Sequence, residues 1–298
     1  MKKNFFNAST FCISLFLLIF QSCSNQQIEN TEATIIHVPD VEKTSHLDSV
    51  FSTVSFLPLE TDDDCLITRV VNLQIHDSLI YINDDRKRLL VFDFHGKFIR
   101  QIGARGKGHG EYLIMWDWII DSNRIEILDY RKIRIYTLDG KYLKTKPFNL
   151  INDSIYCNAG AFAHSPFGGY YLWGGTVGVP DFDKGRYLMY EVDKDMKLKQ
   201  GHFPIKRTGG VVPLRFSYYQ DVMIVDPTYG DYNIYQIDKK GEIKSRYFFD
   251  FGERAFIDEL PTPKKIQPGR PERTNRFDDF IVTFLNFIET DDCIHLNF

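Results

Sequence analysis

An excess of positive charge is missing from this chain of 298 residues: 36 Lys and Arg stand against 40 Asp and Glu, a net charge of −4. A general nucleic-acid binder carries a basic field, so the balance argues against that class. A bilayer-spanning helix needs about 20 apolar residues. The clearest apolar run, Phe11 to Phe20, has about half that, which excludes a multi-span membrane protein. Cysteine is scarce, with five in the chain and none in a C-x-x-C spacing, so neither a disulfide knot nor a zinc finger is indicated. No long stretch carries a 3.6-residue period outside the amino terminus, which excludes a coiled coil. H-E-x-x-H, G-x-S-x-G and a sialidase-type Ser-x-Asp-x-Gly-x-Thr-Trp box are all absent. Proline is also sparse at 12, whereas Phe (25) and Tyr (16) are abundant. With 43% hydrophobic and 26% charged residues the chain can bury a core and is not intrinsically disordered.

The amino terminus reads as an address. Lys2 and Lys3 form a basic start, the short apolar run follows, and Gln21-Ser22-Cys23 closes it. A charged region, a short apolar region and a small residue before the cut make an export signal. Ser22-Cys23 resembles the lipobox of bacterial lipoproteins, although Phe20 and Gln21 replace the usual Leu and small residue. That resemblance implies removal of residues 1–22 and lipidation of Cys23, with acyl chains sufficient for stable membrane anchoring. Residues 23–45 are polar without a clear period and read as a flexible tether. Loss of Lys2 and Lys3 leaves 34 basic against 40 acidic residues. Cys65, Cys157 and Cys293 then remain, and buried free thiols are the expected state.

The body, residues 46–298, is a repeat. VFDFHGKFI (91–99) and IYTLDGKYL (135–143) align with a shift of 44, and MYEVDKDMKL (189–198) and IYQIDKKGEI (234–243) supply two more copies. On the aromatic anchors Phe92, Tyr136, Tyr190 and Tyr235 the spacings are 44, 54 and 45. Each copy follows a second strand signal: LIYIND (79–84), RIEILD (124–129), YYLWGG (170–175) and VMIVDP (222–227). A fifth such signal is CIHLNF (293–298). Ile125-Glu-Ile127 and Ile133-Arg-Ile135 alternate with period 2, the mark of strands with one buried face. His95-Gly96 and Asp139-Gly140 sit where a hairpin turns, because Gly accepts φ > 0. Strand–turn–strand units of about 45 residues match the blades of an all-β propeller with four strands per blade. Neighbouring blades bury each other's faces, which suits the many Phe and Tyr.

The stretch IGARGKGHGEYLIMWDWIIDSNRIEILDYRKIRIYTLDGKYL (102–143) resembles an NHL-type repeat. With the lipoprotein start and VSFLPLETDDDCLI (54–67), the chain over about residues 50–298 resembles the six-bladed β-propeller lipoproteins common in Bacteroidetes. At a mean spacing near 48, six blades need about 286 residues, against the 252 of 47–298. The expectation is therefore four blades and the start of a fifth, a truncated ring. FSTVSFLPLE (51–60) is the expected closing strand of the last blade, with a five-bladed ring or closure by dimerisation as alternatives.

Several residues are candidates for binding. The Gly-rich loop Gly103–Tyr112 carries Arg105, Lys107, His109 and Glu111. Such a loop can cradle an anion when it opens a helix, but here a strand follows, so the alternative is a connector whose glycines accept unusual φ. Tyr112, Trp116 and Trp118 could stack on a sugar. Period 2 would put both Trp rings on one strand face, and core packing is the competing use. Asp62-Asp63-Asp64 and Asp291-Asp292 offer carboxylates but no EF-hand spacing, and His76 and His202 belong to no metal motif. Pro261 to Arg276, with Lys264, Lys265, Arg270, Arg273 and Arg276, reads as a loop inserted on one face. Together these imply a membrane-anchored binding module of the outer membrane, on its periplasmic or surface face, without catalytic residues or cofactor. Its expected partner is an envelope protein, peptide or glycan. Resembling six-bladed rings include calcium-dependent lactonases and lyases. Their alternative here would place Ca²⁺ at the central channel, near Asp84, Asp129, Asp226 and Asn297, unless these residues simply end strands.

Overall fold

The structure, a computed structural model, describes residues 33–38, 53–148, 159–174, 187–204, 216–225, 231–255, 285–291 and 293–297. Cys23, Cys157, Asp226, Asp292 and the 261–276 segment lie outside the described residues. After β1 (Thr34–His37) come four sheets of four strands and one of two. The first blade is β2 (Val70–His76), β3 (Leu79–Asp84), β4 (Leu89–Asp93) and β5 (Phe98–Ile102). The second is β6 (Asp117–Asp121), β7 (Arg124–Asp129), β8 (Lys132–Thr137) and β9 (Tyr142–Pro147). The third is β10 (Ala159–His164), β11 (Tyr170–Gly174), β12 (Tyr187–Val192) and β13 (Leu198–Pro204). The fourth is β14 (Ser217–Tyr219), β15 (Val222–Val225), β16 (Asn233–Ile237) and β17 (Ile243–Asp250), and β18 (Leu285–Glu289) pairs with β19 (Ile294–Asn297) beyond it. Every pairing inside a blade is antiparallel between consecutive strands. Among the described residues no helix is long and apolar enough to cross a membrane.

The turn between third and fourth strands is the true repeat. Asp93, Thr137, Asp193 and Asp238 each open it, and the residue three later has positive φ: Gly96 (79°), Gly140 (90°), Met196 (63°) and Gly241 (74°). Asp93 Oδ1 accepts the amides of His95 and Lys97, Asp193 Oδ1 those of Asp195 and Lys197, and Asp238 Oδ1 those of Lys240 and Glu242. Thr137 Oγ1 accepts Lys141 N in the remaining blade. Measured on these turns, Phe92 and Tyr136 correspond to Val192 and Ile237. The aromatic anchors Tyr190 and Tyr235 therefore stand two residues early, on the same strand face.

The core lies between blades. Tyr81, Leu89 and Val91 of the first blade meet Trp118, Ile125 and Tyr136 of the second. Leu128, Ile133 and Ile135 meet Phe162, Tyr170 and Leu172 of the third. Tyr171, Trp173 and Met189 meet Met223, Val225 and Tyr235 of the fourth. Each large side chain so buried contributes roughly 1.5–3 kcal/mol of transfer free energy. Since blades are covered on both sides, β7 and β8 do not have one buried face as their alternation suggests. Glu126 and Arg134 are buried along with the isoleucines around them.

Two expectations for the amino-terminal region are corrected. Residues 34–37, within the stretch read as tether, form a fifth strand parallel to β17, from Thr34 against Tyr247 to His37 against Asp250. The outer edge of β17 offers free amides and carbonyls, Ile36 packs beside Phe249, and His37 Nδ1 lies 2.9 Å from Asp250 Oδ2. The closing strand expected at 51–60 is not one over its described part, 53–60. Pro58 lacks an amide for a ladder. Glu60 N instead donates to Gly96 O, and the Glu60 carboxylate accepts Phe98 N, so the segment caps a turn of the first blade.

Candidate functional site

Two polar centres lie at opposite ends of the second blade. At one end is Asp129, the last residue of β7, wholly buried. Its Oδ1 accepts the amides of Leu113 (3.0 Å) and Ile114 (3.2 Å), and its Oδ2 accepts Arg134 Nε at 2.6 Å. Trp116 N donates to Leu128 O beside it. These bonds fasten the 113–116 connector to the β7–β8 turn, where Tyr130 takes φ 58°. Leu113, Trp116 (50% exposed) and Tyr130 (58%) consequently share one end of the blade and face solvent. The first blade repeats the ion pair: buried Asp84 accepts Arg88 N, Nε and Nη2, while Arg88 reaches the carbonyls of Asp64 and Leu66. Asp84 and Asp129 are thus occupied by arginine and main-chain donors. Asn297 lies in β19.

The Gly-rich loop is a connector that fills its own cradle. Gly106 N donates to Tyr112 O and Tyr112 N to Ala104 O. The Glu111 carboxylate folds back to accept Gly108 N at 2.7 Å, and a Cβ on Gly106 would stand 1.9 Å from Glu111 Oε2. The carboxylate seated among these glycines is therefore the loop's own glutamate. His109 packs edge-on against Tyr142 at 4.9 Å, and Tyr136 Oη donates to Gly110 O. Arg105 and Lys107 remain exposed. Tyr112 is buried, its hydroxyl donating to Lys87 O, and burial pushes its pKa up. The two tryptophans do not share a face. Trp116 precedes β6 and is exposed, whereas Trp118 (1% exposed) packs at 6.4 Å from Tyr81.

The acidic cluster at 62–64 serves a turn. Asp62 Oδ1 accepts the amides of Asp64 and Cys65 and the Cys65 thiol, and that thiol bond above all holds the Asp62 carboxyl below the usual range. Burial, then Asp62, pushes the Cys65 thiol up, so it is not a poised nucleophile. Asp291 accepts Tyr219 Oη at 2.8 Å. His76 rests on Ser122 O and His202 on Glu191.

The other end of blade two holds a centre that the motifs did not reveal. Asp121 ends β6, Arg124 and Glu126 lie on β7, and His164 ends β10 of the third blade. Glu126 Oε2 is 3.1 Å from His164 Nε2, and Asp121 Oδ2 is 3.8 Å from His164 Nδ1. Arg124 spans the two carboxylates, 2.8 Å to Asp121 and 3.1 Å to Glu126. Tyr170 presents its hydroxyl to Glu126 and accepts Lys146 Nζ at 3.1 Å; burial, then Glu126, raises its pKa. A Glu between two isoleucines was the available signal, but alternation assigned it to solvent.

Radial four-stranded meanders buried against one another define a β-propeller. The chain belongs to the family described as 6-bladed beta-propeller (DUF5128), whose model matches residues 23–298. Among solved structures it is similar to a protein described as exported, from Bacteroides fragilis NCTC 9343, with TM-score 0.61 and 23% identity over 73% of this chain and 60% of that one. The chain thus spans about 60% of that relative's length. A DUF4221 member from Bacteroides vulgatus ATCC 8482 follows with TM-score 0.44 and 11% identity, covering 65% of this chain and 61% of that one. A search of curated proteins returns no match.

Proposed function

We propose that the chain is a lipid-anchored binding propeller of the bacterial cell envelope, holding a peptide or glycan of an envelope partner on the Trp116–Tyr130 end of blade two. The carrying observation is the group Leu113, Trp116 and Tyr130, exposed together at one blade end and fixed there by buried Asp129. Single exposed apolar residues are ordinary, but a rigid aromatic group on a fully bonded support is suited to recognition. Arg105 and Lys107, exposed on the same connector, favour an anionic ligand. The export-type start with Cys23 supports the address, as does the similar B. fragilis protein's description as exported. The reading has no catalytic step. Asp84 and Asp129, fully engaged by arginine and amides, favour it over a calcium-centred enzyme.

Titration of the purified protein against a panel of acidic peptides and anionic oligosaccharides tests the reading. The expectation is at least one ligand whose binding falls tenfold or more in Trp116→Ala. A panel without any ligand, or a ligand indifferent to both Trp116→Ala and Tyr130→Ala, contradicts it. Labelled palmitate should enter the wild-type chain and not Cys23→Ser.

A further inference from the structure

We propose that Asp121, Glu126 and His164 form a binding site for one zinc ion that clips blade two to blade three. Their ligand atoms, two carboxylate oxygens and an imidazole nitrogen, all lie within 4.8 Å of one another. They come from β6, β7 and β10, so the site exists only once the two blades have docked. Imidazole with carboxylates is a donor set for Zn²⁺, and more weakly for Mn²⁺, whereas Ca²⁺ and Mg²⁺ take oxygen donors.

An independent observation points to a cation here. Glu126 is fully buried, and its Oε1 makes no hydrogen bond but faces Arg124 Nε at 3.1 Å, so this buried carboxylate depends on a cation beside it. Next to it stands the Arg124 guanidinium, bridging Asp121 and Glu126 as the resident positive charge. Arg124 keeps 38% of its side chain exposed, so it can swing into solvent when a smaller, doubly charged ion enters. The surroundings resemble a support for metal ligands. Tyr170 holds His164 edge-on at 5.2 Å, and Lys146 fixes the Tyr170 hydroxyl. Asp121 and His164, each about one-third exposed, leave the site open to solvent.

The site's β7 ligand, Glu126, lies three residues before Asp129, about 10 Å along the strand and towards the opposite end of the blade. The site therefore neither depends on the ligand face proposed above nor fails with it. Calorimetric titration of the chelator-stripped, tag-free chain with Zn²⁺ tests it. One equivalent should bind and raise the melting temperature, with Ca²⁺ unable to compete. Asp121→Asn and His164→Ala should each weaken binding at least tenfold. Arg124→Gln should tighten it at least tenfold, because the competing cation is gone. His37→Ala, which removes an exposed His–Asp pair elsewhere, should change nothing. Glu126 is buried and its variants risk unfolding, so the partly exposed Asp121 and His164 carry the test. Absence of a one-equivalent site, binding unaffected by both of their substitutions, or weaker binding in Arg124→Gln would overturn the proposal and leave an ion-pair network.

Discussion

Glu111 illustrates how a single side chain can reverse the meaning of a motif. Four glycines with Arg105, Lys107 and His109 suggest an anion cradle, yet the carboxylate three residues after Gly108 occupies it. Glu111→Ala should lower stability by about 1 kcal/mol, a fall of about 2–4 °C in melting temperature for a chain of this size. Millimolar phosphate should restore part of the loss in the variant and have no such effect on the wild type. A variant as stable as the wild type, or deaf to phosphate, would show that the fold-back contributes nothing. Such a contact was not legible beforehand. Composition gives the donors and acceptors of a loop but not which of its own groups meet. Asp84 and Asp129 were readable as strand-ending residues. Their arginine partners, four and five residues on, were not, because period 2 assigns no partner across a turn.

At the scale of the element, the hairpin between third and fourth strands is the most regular feature, and most of it could be read directly. Gly96 and Gly140 marked the turns of the first two blades. Met196 concealed the third, since a non-glycine residue with positive φ carries no sequence signal, and the aromatic anchors then slipped by two. Gly96 also lies against the 58–60 segment, and a Cβ there would stand 1.9 Å from Pro58 O. Gly96→Ala should therefore cost about 2 kcal/mol or more, combining strained φ with a main-chain collision. Chemical denaturation reads this directly, and an unchanged midpoint would refute the contact. The turn aspartates predict an acid response. The Lys97 amide above all holds the Asp93 carboxyl below the usual range, and the Lys197 amide does the same for Asp193. Because the folded values are depressed, this stabilisation is complete above the unfolded value near 4 and is lost as pH falls through the folded values. Between about pH 4 and 2 the Asp93→Asn, Asp193→Asn double variant should lose stability less steeply than the wild type. Parallel slopes would contradict the assignment. The tether reading failed over residues 34–37 because a short polar stretch with one Ile-Ile step becomes a strand only when β17 offers an edge.

The whole molecule follows from its aromatic excess. Tyr81, Trp118, Tyr136, Tyr170, Tyr171 and Trp173 are all buried between blades, so residues that look amphipathic in isolation become packing between flat sheets. That architecture was legible from the four repeat copies and the strand signal before each. The polar centres were not, since each draws on residues that meet only after blades or distant turns come together. At this scale propeller blades make rigid supports and their connecting turns make the recognition surface. The proposed recognition surface is the Trp116–Tyr130 end of blade two. The affinity of the Trp116→Ala, Tyr130→Ala double variant for the best panel ligand, measured at an unchanged melting temperature, tests this most directly. A loss of at least a hundredfold is expected, and an affinity equal to that of the wild type would rule this surface out.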